Sequence, residues 1–145
     1  MKGVVDTNIV FSALLSRDAN LKQFFFIKEF EFFSCNFLFI EIFRHKNKLI
    51  AISKLSEEEI LTGLEKLLGR ISFVREEFIP ESIFNKAYLL CKDIDEKDTP
   101  FVALTLFLDA HLWTGDKKLK EGLKRKGFHK FFEPSNPKNM SRSYP

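Results

Sequence analysis

Lys2-Gly3-Val4-Val5-Asp6-Thr7-Asn8, running on into Ile9-Val10-Phe11, decides how the chain is read. It is a brief apolar strand, centred on Val4 and Val5, that ends on an acid and turns straight into a helix. The helix carries Ile9, Val10, Phe11, Ala13, Leu14 and Leu15. A carboxylate at the carboxyl end of a buried parallel strand sits where open α/β sheets place their ligand sites. Asp6 and Asn8 are also favoured helix N-caps. The stretch alone favours that modest role, and three further acids change the balance.

Outward from this stretch, strands alternate with helices. Asn20 to Lys28 has helical spacing through Leu21, Phe24, Phe25 and Lys28. Phe32 to Cys35 reads as a second strand, and a helix opens at Phe37 and continues to about Ile50. Ser56 and Glu59 have capping-box spacing. The helix they start has Ile60, Leu61, Leu64, Leu67 and Leu68 on one stripe, with Gly69 as its stop. Ile71 to Val74 is a third strand. Pro80 opens a helix that turns Ile83, Phe84, Ala87, Tyr88 and Cys91 inward.

A charged loop, 92–98, leads to Thr99 as N-cap and Pro100 at N1 of a helix that is apolar on nearly every side. His111 to Thr114 is a fourth strand. Gly115-Asp116 turns into a basic helix, Lys117 to Lys126, and Phe128 to Phe132 is a candidate last strand. From Pro134 the chain has almost no apolar residue, so 134–145 is expected to be disordered. Short continuous apolar strands between helices imply an α/β fold with a parallel sheet covered on both faces.

The totals agree with one domain over 1–133. The chain has 145 residues, 45% of them apolar and 18 of them Phe, which is ample core material. No apolar run is long enough to span a membrane, and no signal peptide precedes the first strand, so a cytoplasmic protein is expected. Cys35 and Cys91 lie in apolar segments and read as buried thiols. Net charge is +3 but uneven: residues 116–145 hold nine Lys/Arg against three Asp/Glu. A basic C-terminal region beside an acidic body fits an anionic polymer, and equally a solvated Lys-rich helix.

Four acids stand at element junctions or inside apolar runs: Asp6, Glu41, Asp98 and Asp116. Asp6 and Asp116 each follow a strand and open a helix, so parallel strands put both on one edge of the sheet. Asp98 precedes the apolar helix. Glu41 is the only polar residue between Phe37 and Phe43; it is either close to the core or held at the helix start by the dipole. An all-oxygen set suits a hard ion such as Mg²⁺ or Mn²⁺. His45, His111 and His129 are isolated, which argues against zinc. No phosphate loop, GxGxxG or GxSxG is present.

Val4-Val-Asp-Thr-Asn-Ile-Val10, the Glu of Phe39-Ile-Glu-Ile-Phe43, Asp98-Thr-Pro-Phe-Val-Ala-Leu104 and Trp113-Thr-Gly-Asp-Lys117 resemble, in order, the successive motifs of PIN-domain nucleases. The resemblance covers residue 2 to about residue 132. It implies a three-layer α/β/α domain with a central parallel sheet of about five strands and an acidic pocket at its edge. Asp6, Glu41, Asp98 and Asp116 would be the catalytic, metal-binding acids, with Mg²⁺ or Mn²⁺ as cofactor. Asn8 and Thr114 would hold those carboxylates by hydrogen bonds. Asp93 and Asp95 compete with Asp98, which is preferred because it immediately precedes the apolar helix.

Many stand-alone PIN domains of this size are toxin ribonucleases of prokaryotic toxin–antitoxin pairs. The implied activity is therefore metal-dependent hydrolysis of RNA, with Lys117, Lys118 and Lys120 steering the backbone toward the acids. The Phe-rich stretch Phe24 to Phe33 is either a large aromatic core or a homodimer or antitoxin contact, and the dimeric habit of PIN toxins favours contact. Two other classes compete. One is a PIN-fold binding module with little or no chemistry. The other is a phosphate-accepting receiver domain, which needs an Asp at the end of its middle strand; here Ile71 to Val74 runs into Arg75, Glu76 and Glu77.

Overall fold

Parallel pairing builds outward from the Val4–Val5 strand in the computed structural model, which describes residues 1–15 and 19–134. The chain order is β1 (Lys2–Val5), α1 (Thr7–Leu15), α2 (Ala19–Phe24), β2 (Glu31–Cys35), α3 (Phe37–Ser53), α4 (Glu57–Leu68), β3 (Ile71–Val74), α5 (Glu81–Cys91), α6 (Thr99–Leu108), β4 (His111–Trp113) and α7 (Lys117–Arg125). The four strands form one sheet in the order β3-β2-β1-β4, with every pair parallel. Helices α1–α4 lie in the connections from β1 out to β3, and α5 and α6 in the return to β4. Right-handed crossovers running in opposite directions put the two groups on opposite faces.

Val4 and Val5 are fully buried, as are Val102, Ala103 and Leu104 of α6. Burial of each large apolar side chain contributes about 1.5–3 kcal/mol. Helix α6 is buried over most of its surface, as its apolar composition requires. The capping box of α4 is complete: the Glu59 amide donates to the Ser56 hydroxyl at 3.1 Å, and the Ser56 amide to the Glu59 carboxylate at 3.2 Å.

Several expectations need correction. Helix α2 ends at Phe24, four residues short of Lys28, and the chain then turns through Phe25 and Phe26. Helix α3 runs to Ser53 and closes on Lys54 in the left-handed region. Asp98, rather than Thr99, is the N-cap residue of α6. Tyr88 points outward at 46% exposure, and Leu90 packs against the core instead.

The fifth strand shrinks to a single bridge between Leu112 and Phe131. Its partner β4 is only three residues long, and Phe132 turns into the core. There Phe132 meets Phe30, Phe32 and Trp113 with ring centroids 4.9–5.6 Å apart. Most of the Phe-rich stretch belongs to this aromatic core: Phe24, Phe25, Phe30 and Phe32 are buried, while Phe26 is exposed. The expected contact surface is therefore not there. The tail expected to be disordered lies, beyond Pro134, outside the described residues. No helix among the described residues is long and apolar enough to cross a membrane.

Candidate active site

Val5 of β1 lies beside Trp113 of β4. The residues that leave these strands, Asp6 and Thr114, therefore stand side by side at the carboxyl edge. The Asp6 amide donates to the Trp113 carbonyl at 3.3 Å. Strand order reverses at this point, and such a switch leaves a crevice outside the strand ends.

Asp6 is 3% exposed. Its carboxylate accepts the Ile9 amide at 3.0 Å, capping α1, and a hydrogen bond from the Thr114 hydroxyl. The Thr114 oxygen in turn accepts the Asp116 amide at 3.2 Å. Asp116 caps α7 through the Leu119 amide at 3.1 Å. Capping a helix thus takes neither strand-end acid out of the hollow that both line. Glu41, half-buried in the second turn of α3, accepts the Thr7 hydroxyl at 2.6 Å. Asp98 is half-buried and makes no side-chain cap bond to α6.

Asp6, Glu41, Asp98 and Asp116 line one hollow of about 70 Å³, joined by Asp95. Asp93 lies outside it and pairs with Lys126. Asn8 is exposed at the rim, and the hydroxyl that holds Glu41 comes from Thr7. Sequence reasoning missed that threonine. Its partner is 34 residues away, and only the position of Thr7 directly after the strand-end acid hinted at a role. Lys97 also lines the hollow and was not singled out. Lys117 and Lys118 are exposed on the first turn of α7, whereas Lys120 is half-buried and pairs with Glu133 at 3.3 Å.

Burial pushes the Asp6 carboxyl up to about 6, against the pull of the Thr114 and Ile9 hydrogen bonds, and the charges of Asp116 and Glu41 push the same way. Asp98 rises to about 7, first by burial and then by the charges of Asp6, Asp95, Asp116 and Glu41. Burial also lifts both cysteine thiols to about 12, which makes them inert. Larger hollows, of about 540 Å³ between α2 and α4 and about 310 Å³ between α3 and α4, gather no such convergent acids.

The donor set fits a hard divalent cation. The hollow holds five carboxylates and no thiol or imidazole, and burial with mutual repulsion raises two of them although Lys97 also lines it. Among the described residues no group of three or more His, Cys, Asp or Glu side chains is gathered closely enough to hold a metal ion by itself. A cation that keeps several waters, as Mg²⁺ does, suits such an open set.

Fold and site define an α/β protein with a carboxylate-rich pocket at the switch point of a parallel sheet. More particularly, the chain belongs to the PIN domain family, whose model matches residues 4–132. Solved structures with the same fold include a chain of VapBC2 from Rickettsia felis, crystallised with a DNA fragment from their promoter. It has a TM-score of 0.66 at 15% identity, covering 83% of this chain and 92% of that one. PAE2754 from Pyrobaculum aerophilum has a TM-score of 0.62 at 13% identity, covering 86% of this chain and 81% of that one. No curated protein sequence matches the chain.

Proposed function

We propose that the chain is a metal-dependent endoribonuclease that hydrolyses RNA phosphodiester bonds, acting as the toxin of a toxin–antitoxin pair. The observation that carries this reading is the convergence of Asp6, Glu41, Asp98 and Asp116 on one small hollow at the sheet's carboxyl edge. Phosphodiesters are anionic, so an acidic hollow needs cations before it can accept them. Mg²⁺ or Mn²⁺, when bound, would neutralise that mismatch and lower the pKa of a water.

The chain's own part is to hold the carboxylates still. Thr114 fixes Asp6 and the Asp116 backbone together, Thr7 fixes Glu41, and the caps of α1 and α7 fix Asp6 and Asp116. Lys117 and Lys118, beside Asp116, would draw the RNA backbone in without reading its sequence.

Likeness to a chain of VapBC2 supports the toxin role at the level of fold. A partner surface supports it separately. Phe39, Phe43, Leu61 and Leu64 flank an apolar groove between α3 and α4, and Phe43 is 81% exposed. A second copy of the chain, or an antitoxin segment, would cover it.

The test is incubation of the protein with end-labelled single-stranded RNA in Mg²⁺, in Mn²⁺ and in EDTA, beside Asp116→Asn. Asn caps a helix as well as Asp does, so the variant keeps its fold. Cleavage that requires metal and vanishes in the variant is expected. An Asp116→Asn protein that cuts at the wild-type rate sinks the assignment, and no cleavage in any metal moves the weight to a PIN-fold binding module.

A further inference from the structure

A second hollow shares only Lys118 with the reading above. It has a volume of about 190 Å³ and sits between α7 and the 92–95 turn. Lys118, Gly122 and Arg125 form its α7 wall. Their i, i+4, i+7 spacing places them on one face of the helix. Asp93 and Ile94 form the facing side, and Lys126, the residue that ends α7, reaches across to it.

Lys126 is already committed. Its ammonium donates to the Leu89 and Leu90 carbonyls at 3.1 Å, at the carboxyl end of α5, and pairs with Asp93. That contact neutralises the one acid of the hollow and braces its wall. Lys118 has no ion pair among the described residues, and Arg125 meets only Glu121, at 4.0 Å between two exposed side chains. Two cations thus face one recess without a counter-charge of their own inside it.

Gly122 lets Ile94 pack closely against α7: a Cβ there would lie 2.5 Å from Ile94 Cδ1 and 2.9 Å from its Cγ1, so any other residue would force that side chain to shift. The turn that closes the recess continues into the acidic hollow, through Asp95, Lys97 and Asp98. The helix is shared too, since Asp116 caps it two residues before Lys118. The two hollows therefore share one turn and one helix.

We infer that the recess binds a backbone phosphate of the strand that is cut, held by Lys118 and Arg125. Every RNA strand would then lie on the site with a backbone contact on this side. The inference rests on the ribonuclease reading.

It is tested by fluorescence anisotropy with a labelled single-stranded RNA, with Ca²⁺ in place of Mg²⁺ and Mn²⁺ to hold off cleavage. Lys118→Ala and Arg125→Ala are compared with Lys28→Ala, an equal loss of charge in the turn before β2, at the opposite edge of the sheet. Each recess variant is expected to bind about 3–10-fold more weakly, and its salt dependence to fall by about 0.7, the loss of one phosphate contact on a single strand. Lys28→Ala is expected to bind as the wild type does. Recess variants that bind like the wild type, or a Lys28→Ala that loses as much, overturn the inference and leave the nuclease reading standing. Wild-type protein that neither binds nor cuts RNA overturns the nuclease reading and this inference with it.

Discussion

Thr114 makes two hydrogen bonds that tie the two strand-end acids together. Its hydroxyl donates to Asp6 while its oxygen accepts the Asp116 amide, so one small residue sets the spacing of two acids from different strands. Partners of this kind typically change metal affinity 10–100-fold when lost. Thr114→Val keeps the shape and removes both bonds. It is expected to weaken Mn²⁺ binding 10–100-fold, read by titrating free Mn²⁺ in the presence of the protein; unchanged affinity would show that the acids hold their places unaided. Asp116 separates its two roles by substitution. Asp116→Ala removes the cap of α7 and is expected to cost about 1 kcal/mol in chemical denaturation, whereas Asp116→Asn costs little. The four acids were legible in the sequence because each stands at a junction or alone in an apolar run. Thr7 was not, because what gives its hydroxyl meaning is a helix 34 residues on.

At the scale of elements, legibility follows how local the cause is. The α4 capping box and the all-apolar α6 are set by residues within a turn or two of one another, and both appear where the pattern puts them. The fifth strand depended on a partner, and β4 is too short to offer more than one rung. The Phe-rich stretch failed as a contact surface for a similar reason. Its rings could be counted, but Trp113 and Phe132, which enclose them, come from the far end of the chain. One face that the fold leaves uncovered is that of α3 and α4, with Phe43 at 81% and Leu61 at 55% exposed. Phe43→Ser removes little from the core of the monomer, so thermal stability at low protein concentration should stay within a degree or two. Self-association in light scattering at micromolar concentration should weaken markedly. A wild type that is strictly monomeric would remove the dimer reading of this face.

Across the whole molecule, the acidic site sets how stability depends on pH. Asp6 and Asp98 hold their protons more tightly folded than unfolded, with values near 6 and 7 against an ordinary 3.8. Between about pH 4 and pH 7 the unfolded chain releases those protons and the folded one keeps them, so the native state binds more protons and stability falls as pH rises. Below that window both states are protonated, and above it both are ionised and the loss is complete. Asp93 and Asp109 act in the opposite sense and elsewhere on the scale. Lys126 and Lys130 hold their carboxyls below the ordinary value, so their stabilisation is lost only as pH falls into the acid range. Without divalent ions the melting temperature should therefore decline from about pH 4.5 to pH 7.5. Mg²⁺ should recover much of that loss at pH 7.5 and do little at pH 4.5, where protons already quench the repulsion. Asp98→Asn should flatten the decline, because the group that titrates highest is gone, and should blunt the gain from Mg²⁺. A melting temperature that rises through this window, or one indifferent to Mg²⁺ at pH 7.5, would mean that the acids do not share a site in solution.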